Sequence, residues 1–256
     1  MNKFLNTKSP KLVAMLSSAH ADELILKIKT SIDEGAEGFC ILTETLLPEY
    51  KNKETIRRII DAMDGRQAYM TNYIRNNTQQ ELTDEVLAEQ LLDMIDCGAD
   101  LIDIRTDLFC RSESEVTYDT DADKKQRELI ADIHKRGAEV LMSSHIFEYT
   151  PPERVLEIAK LQQSRGADIA KIVTFVSSRK ELEDAFKTNA LLNEKLSIPY
   201  LFLCNGPYCR THRMIAPFLG TAFYLCLENS NTKGPQPTIA EAKMMIEKCY
   251  GGDKNE

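Results

Sequence analysis

Short apolar, β-branched runs alternate along this chain with longer stretches in which apolar residues recur at helical spacing. The runs fall at 12–16, 38–43, 67–72, 100–104, 139–143, 168–174, 199–204 and 221–226. Helical periodicity lies between them, near 21–34, 53–63, 82–96, 122–136, 152–165, 179–193 and 211–217, and a last helix is expected near 239–249. Continuous apolar strands separated by crossover helices predict a parallel sheet covered on both faces. One local signature recurs: Gly35-Ala36-Glu37, Gly98-Ala99-Asp100, Gly137-Ala138-Glu139 and Gly166-Ala167-Asp168 each end a helical stretch and open a strand. Glycine suits the left-handed position after a helix. A doubly wound open sheet would show the same rhythm. Eight strands, with no glycine-rich phosphate loop after the first, favour a closed (β/α)8 barrel.

Composition narrows the picture. The 256 residues are 43% hydrophobic and 28% charged, enough for a sizeable core and a hydrated surface. The net charge of -8 repels phosphate backbones, which argues against nucleic-acid binding. No apolar run approaches the roughly 18–20 residues needed to span a bilayer. The stretch Met1-Asn2-Lys3-Phe4-Leu5 carries neither a long apolar segment nor a small-residue cleavage site, so no secretion signal is expected. Seven cysteines without a C-x-x-C pair fit reduced thiols in the cytoplasm. No domain boundary is evident: residues 1–256 read as a single barrel domain, with a polar insertion at 113–123 and a frayed tail at 251–256.

In such a barrel chemistry gathers at the C-terminal ends of the strands. Lys171 stands inside the run Ile169-Ala170-Lys171-Ile172-Val173, where a lysine is unusual. Pointing inward it would be desolvated, which favours the neutral amine, a nucleophile toward ketones and aldehydes. A snorkelling or internally paired structural lysine fits the same residues. His145 follows Val140-Leu141-Met142-Ser143-Ser144 at the end of the preceding strand, where it can move protons near neutral pH. Arg213 can bind a carboxylate or phosphate through its planar fork, or simply face solvent at a helix start. Thr232, Gly234 and Gln236 lie in a polar loop after the eighth strand, able to close over a ligand.

Three patterns are set aside. Asp119-Thr120-Asp121-Ala122-Asp123 begins like a calcium loop, but Lys124 and Ile130 occupy the turn-glycine and closing-glutamate positions, so a helix start is expected. Cys204, Cys209 and His212 lack zinc-site spacing, and no metal is expected. The basic stretch from Lys51 to Arg58 reads as a solvated helix face.

The segments Met142-Ser143-Ser144-His145-Ile146-Phe147 and Gly166-Ala167-Asp168-Ile169-Ala170-Lys171-Ile172 resemble the two core motifs of type I 3-dehydroquinate dehydratases, M-S-x-H-x-F and G-A-D-x-x-K. The similarity runs over most of the chain and is weak before residue 100. It implies a (β/α)8 barrel and a metal-free, cofactor-free imine mechanism on a small keto-acid, with Lys171 as the Schiff-base lysine and His145 as the acid/base. It further implies Arg213 as the carboxylate-binding arginine, Gln236 as the glutamine of the closing loop, Thr232 in place of a serine, and a homodimer. The sequence departs from the family on the first three strands. Where the family carries E-x-R-x-D, this chain has Cys40-Ile41-Leu42-Thr43-Glu44. Met15 replaces a small polar residue. Arg75 stands in for the family's third-strand arginine in a shifted register, and Asn77 for the glutamate that supports the histidine. Recognition of the substrate's hydroxyl-bearing end is therefore expected to be rebuilt. An imine-forming aldolase and a non-catalytic metabolite-binding barrel stay open as rival readings.

Overall fold

The computed structural model describes residues 9–73 and 82–251. Among these residues eight parallel strands alternate with eight α-helices. The strands are β1 (Leu12–Leu16), β2 (Gly38–Leu42), β3 (Gln67–Thr71), β4 (Leu101–Arg105), β5 (Glu139–His145), β6 (Ile169–Phe175), β7 (Tyr200–Asn205) and β8 (Tyr224–Cys226). The helices are α1 (Ala21–Glu34), α2 (Lys53–Asp61), α3 (Asp84–Asp96), α4 (Thr120–Lys135), α5 (Pro152–Arg165), α6 (Arg179–Lys195), α7 (Cys209–Ile215) and α8 (Ile239–Tyr250). Neighbouring strands pair in chain order from β1 to β7, and β8 pairs with β1. The ring closes where Thr221 bridges Tyr200 and the Ala222 N–H donates to the Tyr200 carbonyl at 2.7 Å. The fold is the (β/α)8 barrel that the rhythm of apolar runs predicts. The last run divides its work: residues 221–222 meet β7, and only 224–226 join the ladder with β1.

The repeated glycine–alanine–acid turn has a physical cause. Gly166 takes φ +105° and the Ala167 N–H returns to the Gln162 carbonyl, closing α5. The Asp168 N–H then donates to the Val140 carbonyl, and its carboxylate accepts the Val140 N–H at 2.7 Å. Asp100 makes the same pair of bonds with Ala68, and Glu37 with Leu12. Each acid thus clamps the incoming strand to its neighbour and sets the register.

Alternation along the strands sorts side chains into two shells. Val13, Cys40, Tyr69, Leu101, Leu141, Ile169, Leu201 and Phe223 pack together inside the ring. On β6, Ala170 and Ile172 point outward against Val155, Ile158 and Ala159 of α5 and Leu192 of α6. Lys171 therefore points inward, between Ile169 and Val173. Across the β5–β6 ladder Ser143 pairs with Lys171 and His145 with Val173. His145 shares the inward face with Leu141 and Ser143 and stands about 7 Å nearer the C-terminal rim than Lys171 does. Asp119 caps α4, accepting the N–H groups of Asp121 and Ala122, as the helix-start reading expects. Among the described residues no helix is long and apolar enough to cross a membrane.

Gly166→Ala should lower stability by about 1–3 kcal/mol, because the positive φ strains any side chain and the new Cβ would lie 3.3 Å from Ile130. Urea unfolding measures this. A midpoint equal to that of the parent protein would contradict the turn's role.

Candidate active site

Five consecutive strands, β2 to β6, converge on one buried cluster. Lys171 is 8% exposed, and its Nζ lies 3.0 Å from Asp103 Oδ2 of β4 and 3.2 Å from the Tyr69 hydroxyl of β3. The Tyr69 hydroxyl donates to the same carboxylate oxygen at 2.5 Å, and Ser143 of β5 donates to Oδ1. Cys40 of β2 completes the surroundings, and burial pushes its thiol well above the ordinary range. Burial and the Asp103 charge push Tyr69 up as well, so both groups stay neutral. Lys171 is thus paired with an acid inside the barrel, an arrangement the sequence left open beside that of a neutral, desolvated nucleophile. An ammonium inside a dry barrel needs a counter-charge, and Asp103 provides it. Asp103 was missed because it sits in an apolar strand. Its signal is the two-residue period that turns Leu101, Asp103 and Arg105 to one face.

His145 has its own carboxyl partner. Its Nδ1 lies 2.6 Å from the Tyr73 hydroxyl and 3.1 Å from Glu115 Oε2, and its backbone N–H donates to the same Glu115 oxygen at 2.6 Å. The Tyr73 hydroxyl donates to Glu115. The Ser144 hydroxyl holds the Glu115 carbonyl at 3.0 Å. Glu115 takes φ +51°, a strained conformation for a non-glycine residue, and is 2% exposed. The polar insertion at 113–123 therefore carries a buried residue beside His145, which its composition alone did not single out. The residue expected to support the histidine, Asn77, lies outside the described residues, as does Arg75. Glu44 follows β2 and accepts from the Thr71 hydroxyl at 2.8 Å and the Tyr73 N–H at 3.1 Å. Burial raises its carboxyl above the usual range.

Arg213 of α7 is anchored at the rim beside β6. Its Nε donates to the Cys204 carbonyl at 2.8 Å and its Nη2 to Asn205 Oδ1 at 2.9 Å, both at the end of β7. It is 5% exposed, and burial lowers its guanidinium to about 10. Among the described residues no carboxylate lies within ion-pairing distance of it, so its charge is oriented but not neutralised. Gln236 is buried, and its Oε1 accepts no hydrogen bond from the described residues. Its backbone carbonyl accepts from Arg210. Thr232 is exposed on the loop between β8 and α8. His212 is buried between Phe186 and Phe202, bonded to Asn189 Oδ1 and held down to about 3 by burial, so it packs as a neutral core residue. Among the described residues no group of three or more His, Cys, Asp or Glu is arranged to hold a metal ion.

Burial raises the Glu115 carboxyl to about 8. The folded protein then keeps a proton that the unfolded chain loses near its ordinary value, so folding stability falls as pH rises between them. The slope at its steepest is about 1.4 kcal/mol per pH unit. Thermal melts should show Glu115→Gln gaining on the parent protein as pH rises from about 5 to 8. A constant difference in Tm over that window would contradict a buried, protonated Glu115.

Over 160 residues the chain is 29% identical to the 3-dehydroquinate dehydratase of Geobacillus sp. (strain WCH70), covering 61% of this chain and 53% of that protein. It is 28% identical over 130 residues to the 3-dehydroquinate dehydratase of Pyrococcus abyssi (strain GE5 / Orsay), covering 50% and 58%. These matches span little more than half the length of the curated relatives. The fold is similar over nearly the whole chain to type I 3-dehydroquinate dehydratase from Clostridium difficile, solved with covalent modified comenic acid (TM-score 0.84, 14% identity, 97% and 95% of the two chains). It is similar also to 3-dehydroquinate dehydratase from Geobacillus kaustophilus HTA426 (TM-score 0.83, 12% identity, 98% and 95%). The family model for type I 3-dehydroquinase matches residues 113–252, more than half of the chain, from the loop that carries Glu115 through His145 and Lys171 to the last helix, and the chain belongs to that family.

Proposed function

We propose that this protein is a Schiff-base-forming dehydratase that eliminates water from 3-dehydroquinate or a related carboxylate-bearing keto-polyol. The supporting observation is the shared inward face of β5 and β6: an amine buried against a carboxylate, and an imidazole nearer the rim backed by a buried carboxyl. The Lys171 ammonium passes a proton to Asp103, which leaves a neutral amine. The amine attacks the substrate ketone, and the carbinolamine loses water to give an iminium. The iminium draws electrons from the adjacent C–H bond, and His145 Nε2 takes that proton, forming an enamine. The enamine expels the β-hydroxyl, which leaves as water with the proton that His145 returns. Hydrolysis of the conjugated iminium then frees the enone and restores Lys171. One histidine serves both transfers because an imidazole can take a proton and return it near neutral pH. Glu115 and Tyr73 occupy the Nδ1 side, which supports Nε2 as the nitrogen that meets the substrate in this reading.

Arg213 is the carboxylate partner in this reading. The wall built by β1–β3 is less polar: Met15, Cys40 and Leu42 face the interior core. A less polar wall offers fewer partners to substrate hydroxyl groups, so a substrate that differs from 3-dehydroquinate at its hydroxyl-bearing end, while keeping a carboxylate for Arg213, fits this reading. The same reading treats the chain as one barrel domain, working as a cytoplasmic homodimer, with Gln236 and Thr232 on the loop that closes over the ligand.

Borohydride reduction in the presence of 3-dehydroquinate should leave a stable adduct on Lys171, detected by peptide mass spectrometry. Equal labelling of Lys171→Ala would sink the scheme. His145→Gln should lower kcat about 10²–10⁴-fold while still forming the adduct. Release of an aldehyde, in place of an enone absorbing in the near ultraviolet, would select carbon–carbon cleavage. Arg213→Lys should raise KM about 10–100-fold, the worth of a charge-assisted hydrogen bond. A substrate whose carboxylate is replaced by an amide should lose most of that difference.

A further inference from the structure

Helix α5 buries a stripe of Val155, Ile158, Ala159, Gln162 and Arg165. The last two are polar residues at positions where apolar packing would be simplest. Arg165 is 2% exposed and uses all three faces of its guanidinium. Nε donates to Asp123 of α4 at 3.0 Å, Nη1 to the Thr106 carbonyl at 2.7 Å and Nη2 to the Thr117 carbonyl at 2.5 Å. Thr106 and Thr117 are the two ends of the loop that leaves β4 and delivers Glu115 to His145. Gln162, one turn earlier, donates to the Thr106 hydroxyl at 2.9 Å, the Lys171 carbonyl at 3.1 Å and the Ser144 hydroxyl at 3.3 Å. Ser144 in turn holds the Glu115 carbonyl. Gln126 of α4 adds bonds to the Thr106 and Leu108 carbonyls.

We propose that Arg165 is a positioning residue for proton transfer: by stapling both ends of the 106–117 loop it holds Glu115, in a strained backbone conformation, against Nδ1 of His145. Burying a guanidinium costs desolvation energy that an apolar side chain would avoid. What arginine adds is three directed bonds in a rigid plane, which lysine cannot reproduce. The strain at Glu115 makes the staple necessary, since a loop tied at one end alone would relax away from φ +51°. Among the described residues, the groups facing this network include Tyr73 and Lys171 around Glu115 and His145, and Asp123, Arg127 and Tyr118 around Arg165.

The inference rests on the acid/base role assigned above to His145, yet its main test needs no turnover. The titration of His145 is followed by NMR of the ring protons in the parent protein, Arg165→Lys, Glu115→Gln and the double variant. Releasing the loop lets water reach Glu115, which then ionises at neutral pH and favours the imidazolium. The His145 midpoint should therefore rise by about half a pH unit or more in Arg165→Lys. In the Glu115→Gln background the same substitution should leave it unchanged. Ser144→Ala, which frees the Glu115 carbonyl alone, should move the midpoint in the same direction by less, and serves if Arg165→Lys does not fold. On the dehydratase reading, kcat of Arg165→Lys falls about tenfold or more, and the fall disappears in the Glu115→Gln background. An unmoved His145 midpoint in both loop variants, or equal effects with and without Glu115, would overturn the proposal. A normal NMR result with no adduct on Lys171 would sink the dehydratase reading and leave the staple standing.

Discussion

The ammonium of Lys171 and the carboxylate of Asp103, 3.0 Å apart inside a closed ring of parallel strands, constrain everything around them. Neither charge would be tolerated there alone. Together they need their remaining donors and acceptors satisfied, and Tyr69 and Ser143 do this from the strands on either side. The result is a polar layer laid on an apolar floor. Below it Leu101, Leu141, Ile169, Leu201 and Phe223 exclude water. Above it the rim is open to polar groups. On the dehydratase reading, the proton that leaves the amine has an acceptor 3.0 Å away in Asp103.

The second carboxyl group obeys a different rule. Glu115 is buried near an imidazole and a phenol and is held well above the ordinary carboxyl range. Two acids within one site therefore meet different neighbours: Asp103 lies against the Lys171 amine and the Tyr69 and Ser143 hydroxyls, whereas Glu115 lies against the His145 ring and the Tyr73 hydroxyl.

Outside the ring, α5 links these parts mechanically. Its apolar residues pack on β6, while Gln162 and Arg165 reach the backbone behind Lys171, the hydroxyl behind His145 and the loop that carries Glu115. The inner chemistry and the outer shell are thus one hydrogen-bonded body, on the side of the barrel formed by β4, β5 and β6. On the β1–β3 side, beside Met15, Cys40 and Leu42, the bonds among described residues are more local, joining Thr43 and Glu44 after β2 to Thr71 and Tyr73. That asymmetry matches the division visible in the chain itself, where motifs resembling the family are kept on the later strands and lost on the earlier ones.

By itself the sequence determined the architecture and two of the site's positions. Apolar runs with β-branched residues, helical periodicity between them and the repeated glycine–alanine–acid turn are local properties, and they specify eight β/α units whose ends shift by up to three residues in the fold. The inward direction of Lys171 and the strand-end position of His145 follow from the two-residue period of a strand. Tertiary structure alone decided which groups meet them. Asp103, Tyr69 and Glu115 lie 68, 102 and 30 residues away from their partners. Nothing local marks a long-range contact: an aspartate in an apolar strand and a glutamate in a polar loop become buried partners only when ring closure and the Arg165 bonds bring their segments together.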